Sequence, residues 1–338
     1  MGNGQWGIPA HPIAHCRLPI APRSAMTQYA FRRLLLMIPT LLIVSMIVFS
    51  LIRLIPGDIA EIMVENRRYA NDVEELRAKL GLDQPLPVQY VEWLGGLLTG
   101  DWGKSLWTGR TIGEELRHRI PLTLQLGVMT MVVSLVIAIP IGVLSAIRQD
   151  SAVDYLTRSL AILGLSLPAF WLATIMLVFG SIWFGWAPRQ WVPFRDDPAG
   201  SLLALAVPAA ILGVDRAASL MRMTRAMMLE TLRQDYIRTA WSKGLKERVV
   251  VTRHALRNAF IPVVTLLGLQ VPAILGGSVV IESIFNLPGT GKFMLDAIQA
   301  RDYPMVQVMN MVFAGFVLLT TLAVDLAYGY LDPRIRYG

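Results

Sequence analysis

The chain has 338 residues, 54% of them hydrophobic and only 16% charged, against about 25% charged in soluble domains. This composition excludes the two soluble domains that a count of about 100–200 residues per domain would suggest. A net charge of +7 is compatible with nucleic acid or an anionic membrane until its distribution is known, and a lone Cys16 excludes an internal disulfide or a Cys-rich metal centre.

Residues 1–25 read as an upstream extension or a disordered leader. Pro12, Pro19 and Pro22 interrupt the apolar stretch and the cations come late, unlike a signal peptide. Met26, with Arg32 and Arg33 just before the first apolar run, is the more convincing start. His11, His15 and Cys16 lie in this Pro-rich leader and are not assigned to a metal.

Uncharged runs follow at Leu34–Ile52, Leu122–Ile147, Ser159–Pro188, Asn258–Ile281 and Tyr303–Val324, each near or above the ~20 residues a membrane-crossing helix needs. A sixth, Ser201–Val214, is shorter and crosses only if it continues through Asp215 and Arg216 under the shelter of neighbouring helices. Six crossings put both termini on one side. That side then carries 18 of the 31 lysines and arginines, ten of them between Asp215 and Arg257, and a net +10 against −3 opposite. The positive-inside rule selects this N-in, C-in arrangement over a five-span one, so the charge reports orientation and the nucleic-acid reading falls. The fold class is therefore an all-α integral membrane protein with six transmembrane helices. Pro39, Pro140, Pro168, Pro208 and Pro272 lie inside spans and predict kinks.

The outer loop from Gly57 to Pro121 is long enough to fold. Asn71 and Glu74 predict a helix ending near Gly81, and a second is expected from about Pro85 to Leu98, with Trp93, Trp102 and Trp107 placed at the outer interface. On the inner side, Met223, Met227, Leu229, Leu232, Tyr236 and Ile237 alternate with cations, which predicts amphipathic helix. Gly244 then predicts a left-handed turn, followed by a second helix from about Lys246 to Asn258.

On these residues the chain resembles the permease subunits of ABC importers, in the dipeptide, oligopeptide and nickel branch with the type I transmembrane fold. Arg238-Thr239-Ala240 with Gly244 occupies the position of that family's Glu-Ala-Ala…Gly motif, with Arg238 in place of the Glu. The resemblance extends to Ile55-Pro56-Gly57-Asp58, Gly100-Asp101-Trp102-Gly103, His254-Ala255-Leu256-Arg257-Asn258-Ala259, Arg301-Asp302-Tyr303-Pro304 and Asp332-Pro333-Arg334-Ile335-Arg336. Ile59 departs from the proline common after Pro-Gly-Asp.

The resemblance implies a permease of an ATP-driven importer in the cytoplasmic membrane, translocating di- or oligopeptides or a related solute such as nickel complexes or glutathione. It implies no catalytic residues and no cofactor on this chain, with ATP and magnesium on partner subunits. The partners would be a second homologous permease, one or two cytoplasmic ATPases and an extracytoplasmic solute-binding protein. The ATPase-coupling residues would be Arg238, Thr239, Ala240, Trp241, Lys243, Gly244 and Leu245. The matching organisation is a leader (1–25), a tail and first span (26–55), an outer loop (56–120), a five-helix core (121–330) and a cytoplasmic tail (331–338). Within the core, spans fall at about 122–147, 159–186, 201–222, 260–282 and 303–327, with a coupling loop at 223–259.

Gln270, Ser278 and Glu282 are candidate pathway residues, because polar groups within spans are functional candidates by default. Glu282 would alternatively pair with a cation of the outer lid, and Asp325 with an arginine of the inner loop. A proton-coupling role for Glu282 would make the chain a secondary transporter, the competing function, although no inverted repeat supports it. Pro288-Gly289-Thr290-Gly291-Lys292-Phe293 fails as a phosphate loop, since Asn286 stands where the first glycine is needed and Phe293 where Ser or Thr would bind magnesium.

Overall fold

The computed structural model describes residues 23–54 and 83–331. The expected helix over 71–81, the Ile55–Asp58 and Asp332–Arg336 motifs, and most of the leader lie outside the described residues. Among the described residues the chain is helical, apart from one antiparallel bridge between Lys104 and Thr111. The elements are α1 (Arg23–Arg53), α2 (Leu86–Thr99), α3 (Ile112–Ile147), α4 (Ala152–Ser166), α5 (Ala169–Phe184), α6 (Pro198–Leu232) and α7 (Asp235–Ser242). There follow α8 (Glu247–Val249), a π-helical stretch (Val250–Ala255), α9 (Leu256–Ile284), α10 (Thr290–Gln299) and α11 (Tyr303–Leu331).

Among the described residues five helices are long and apolar enough to cross a membrane, and α4 with α5 make a sixth crossing if the bent pair counts as one. The protein is thus an all-helical membrane protein, with the 201–214 run carried on a 35-residue helix through Asp215 and Arg216. The third run is where the expectation needs correcting. Pro39, Pro140, Pro208 and Pro272 remain inside helices, whereas at Leu167-Pro168 the chain turns by 89° and the run becomes two helices.

The helix faces are inverted relative to a soluble protein. On α3, Leu126, Thr130, Ser134, Ala138 and Gly142 recur every fourth residue and are buried, while Val128, Val132 and Val136 are more than half exposed. Small side chains bring backbones together, and branched apolar ones face lipid, which gives no reward for hiding them. At Gly142 an added Cβ would lie 2.7 Å from Cβ of Thr224 on α6, so the two helices meet there with no room for a side chain.

Four buried clusters result. Leu122, Leu126, Ala173, Leu205, Ala209 and Phe285 join α3, α5, α6 and α9 towards the outer side. Ala138, Ala161, Ala217, Leu220 and Val263 join α3, α4, α6 and α9 at mid-height. Ile112, Leu116, Phe293, Ala297 and Met305 hold α10 and α11 against the start of α3. Ala146, Met228, Ile237, Ala240, Val250, Val251, Ala255 and Ala259 form the inner cluster. The first helix attaches through α11 and α2, by Arg33 Nη2–Asp325 Oδ2 at 3.2 Å and by Arg53 Nη2 donating to Gln89 Oε1 at 2.6 Å. Asp325 therefore pairs with the first helix, not with an arginine of the inner loop.

Candidate functional site

The inner protrusion is an extension of two spans. Its first arm is the end of α6, whose 35 residues rise about 52 Å at ~1.5 Å each, against ~30 Å of hydrocarbon. Its second arm runs from Glu247 through the π-helical stretch into α9 without a gap. The segment 223–259 is thus built from the inner ends of the fourth and fifth crossings. Between the arms lies α7, only eight residues long.

Helix α7 is sharply two-sided. Ile237 is wholly buried and Ala240 nearly so, in the inner cluster; burial of an Ile side chain contributes about 1.5–3 kcal/mol. The opposite face carries Arg238, Thr239 and Trp241, all exposed, with Trp241 at 44%. Two features hold the helix in place. The Tyr236 hydroxyl accepts a bond from Asn258 Nδ2 at 2.8 Å, and Gly244 takes φ +73° while its N–H donates to Trp241 O at 2.9 Å. A side chain at Gly244 would meet nothing within 4 Å, so the turn requires glycine for its left-handed backbone and not for space. Lys243 and Leu245 flank it on the surface.

Of the expected coupling residues, then, Arg238, Thr239, Trp241, Lys243, Gly244 and Leu245 share one exposed edge, and Ala240 sits beneath them as packing. The Arg238 guanidinium reaches only Asp235, at 3.4 Å, with both side chains more than three-quarters exposed. An exposed edge with cations, an aromatic ring and an aliphatic side chain suits a partner surface with an apolar groove and an acidic rim. The His254–Ala259 motif also acquires a structural account: Ala255 and Ala259 pack into the inner cluster, and Asn258 ties α7 to α9. The Tyr236–Asn258 bond joins residues 22 apart in sequence and has no local sequence signal.

Of the expected pathway residues, Ser278 and Glu282 come together, and Gln270 lies about two turns from Ser278 on the same helix. Ser278 and Glu282 are enclosed within the chain, and the cleft of about 700 Å³ on the outer side, lined by Arg119, Trp191, Phe285, Lys292 and Asp296 among others, includes none of the three. Glu282 is held by hydroxyl and amide donors and, among the described residues, by no lysine or arginine side chain. Its Oε1 accepts from the Thr123 hydroxyl at 2.9 Å and its Oε2 from the Lys292 amide at 2.8 Å, with Ser278 and the Gly291 amide as further donors. The carboxylate thus occupies the N-terminus of α10, the place where an anion is favoured by free amides. The Pro288–Phe293 segment, already unsuited to phosphate by sequence, has its Gly291 and Lys292 amides taken by Glu282 and its Thr290 amide by the Thr123 hydroxyl. Gln270 is also buried, and its Oε1 has no hydrogen-bond partner among the described residues.

Two motifs of the outer side prove to be one unit. Asp302 is buried and accepts the Ser105 hydroxyl at 2.5 Å, the Trp107 amide at 3.2 Å and the Met305 amide at 3.3 Å. It caps α11 while holding the loop that follows Gly100-Asp101-Trp102-Gly103. Trp93 stacks near Phe49 and Trp107 near Phe293, so these tryptophans join elements to one another.

Comparison with known proteins places this architecture. Residues 138–337 match the family described as "Binding-protein-dependent transport system inner membrane component", and residues 26–127 match its N-terminal part. The chain is 38% identical over 336 residues to the dipeptide transport system permease protein of Alkalihalophilus pseudofirmus, a match covering 92% of this chain and 100% of that one. It is 39% identical over 316 residues to the oligopeptide transport system permease protein of Bacillus subtilis, with the same coverage. Among solved structures, the inward-facing MetNI methionine ABC transporter superposes with a TM-score of 0.52 at 19% identity, over 64% of this chain and 96% of that one, a likeness of fold.

Proposed function

The chain belongs to the binding-protein-dependent transport system inner membrane components, and from that premise we propose that it is one of two permease subunits of an ATP-driven importer of di- or oligopeptides. As a multi-pass permease of the inner membrane it moves a solute and does not convert one. The peptide assignment is supported by its similarity to dipeptide and oligopeptide permeases. The further partners are a second, homologous permease, one or two cytoplasmic ATPases and a solute-binding protein on the outer side.

One observation carries the mechanism: a short helix with a buried Ile237 and an exposed Arg238–Trp241 face, joined by a left-handed glycine turn, sits at the shared tip of two spanning helices. In this reading residues 238–245 dock onto an ATPase. When two ATPases close on ATP, they displace α7, and its cluster with Met228, Val250 and Val251 moves α6 and α9 as one body. ATP can bias the inward- and outward-open states only by the difference in its affinity for them, so a firm joint at the tip is required.

The test is reconstitution of the permease pair with its ATPases and binding protein in vesicles. ATP-dependent uptake of a labelled dipeptide is expected, and Gly244→Val should abolish uptake while the protein remains in the membrane. Uptake driven by a proton gradient alone would overturn the ATP-driven reading. Normal uptake by Gly244→Val would overturn the docking assignment, and uptake of nickel or glutathione in place of peptide would redirect the substrate class.

A further inference from the structure

Where α3 ends and α4 begins, the side chain of Asp154 is wholly buried. Arg225 of α6 meets it with two parallel bonds, Nε to Oδ1 at 2.8 Å and Nη2 to Oδ2 at 2.7 Å. Ser145, in the last turns of α3, donates to the same Oδ1 at 2.5 Å and accepts from Arg225 Nε at 3.1 Å. The Asp150 amide, from the turn between α3 and α4, donates to Oδ2 at 3.1 Å. Every lone-pair direction of one carboxylate is thus shared among three helices, in the two-pronged geometry that fixes orientation as well as distance.

The position of this node matters as much as its strength. Arg225 lies one turn before Met228, which is buried against Ile237 and Ala240 of α7. At the adjacent position, Thr224 rests against the bare backbone of Gly142. Motion of the docking tip therefore reaches Arg225 through a continuous helix and a closed contact. Helix α4, by contrast, has little else to hold it. Thr157 and Ala161 are its other buried residues, while Tyr155, Leu156, Leu160, Ile162 and Leu163 are more than half exposed. The third crossing is bent by 89°, so its inner half follows the core only as far as its fastening obliges it to.

We propose that Asp154 and Arg225 form a strut that makes the bent third crossing follow the docking tip, so that both are positioning residues for coupling ATP hydrolysis to transport. The proposal rests on the docking reading above. A strut differs from a structural staple in its failure. Loss of a staple lowers the amount of assembled protein, and what remains works normally. Loss of the strut leaves the ATPases running against a permease whose third crossing lags.

The experiment uses the complete complex in vesicles, with uptake and ATP hydrolysis each normalised to recovered complex. Asp154→Asn is expected to lower uptake about tenfold while hydrolysis stays within about twofold, a coupling loss of ordinary size. Arg225→Lys keeps the charge but not the two-pronged geometry; it should give the same split, more weakly, and it carries the test if Asp154→Asn does not assemble. Normalised uptake and hydrolysis that both remain normal, or that fall together, overturn the strut. Gly244→Val in the same vesicles reports on the docking reading separately: normal uptake there beside uncoupling at Asp154→Asn overturns the docking turn and leaves the strut in place.

Discussion

The two ends of the molecule solve the problem of exposed polar backbone in opposite ways. On the outer side, Glu282 and Asp302 are buried carboxylates that take hydroxyl and amide donors from distant segments, as Thr123 to Glu282 and Ser105 to Asp302 illustrate. On the inner side, Tyr236 is tied to Asn258 of α9, while the outward residues of α7 bond within their own helix, such as Thr239 to Asp235 O and Ser242 to Thr239 O. The outer carboxylates are satisfied from within the chain. The inner tip keeps a firm underside and an unengaged surface, which is what a docking element needs.

The largest effect that tests this contrast is at Glu282. Glu282→Ala strands the Gly291 and Lys292 amides at the start of α10, and should cost about 3 kcal/mol of stability, read as a lower thermal unfolding midpoint of the purified protein. A loss below about 1 kcal/mol would show the outer side to be less self-contained than its bonds imply. Ile237→Ala comes next, with an expected loss of about 2–4 kcal/mol for an enclosed aliphatic side chain, together with weaker retention of the ATPase on purification. Full ATPase retention by that variant would mean that α7 does not depend on its underside. Leu245→Ser is the smallest in stability, within about 0.5 kcal/mol for a surface site, yet it should weaken ATPase binding by about 1–2 kcal/mol if it is a contact residue. A titration of purified ATPase against the reconstituted permease measures it, and unchanged binding would remove Leu245 from the docking edge.

Much of this was legible from the sequence, for identifiable reasons. Long uncharged runs and the placement of the cations are properties of the chain itself, so the helices crossing the membrane could be read without tertiary information. Gly244 was legible because a left-handed turn between two amphipathic stretches has a local signature. The break at Pro168 was not, since four other span prolines stay within helices and only packing distinguishes them. The partners of Glu282 were equally hidden: Thr123 lies 159 residues away, and no local pattern announces a carboxylate that caps another helix. The secondary-transporter reading falls on the family match and not on Glu282. Arg225 was counted among the inner cations as an orientation signal, although its partner Asp154 lies 71 residues earlier.

The bend at Leu167-Pro168 also bears on the lipid. Helices α4 and α5 have 15 and 16 residues and rise about 22 and 24 Å, each short of ~30 Å of hydrocarbon. Set at 89° to one another, they do not add their lengths along the bilayer normal. Together they project at most about 33 Å along the normal, so the pair spans ~30 Å of hydrocarbon only when both halves tilt by about 45°. Bilayer thickness therefore bears on the tilt of this crossing, at a cost of fractions of a kcal/mol per Å of mismatch.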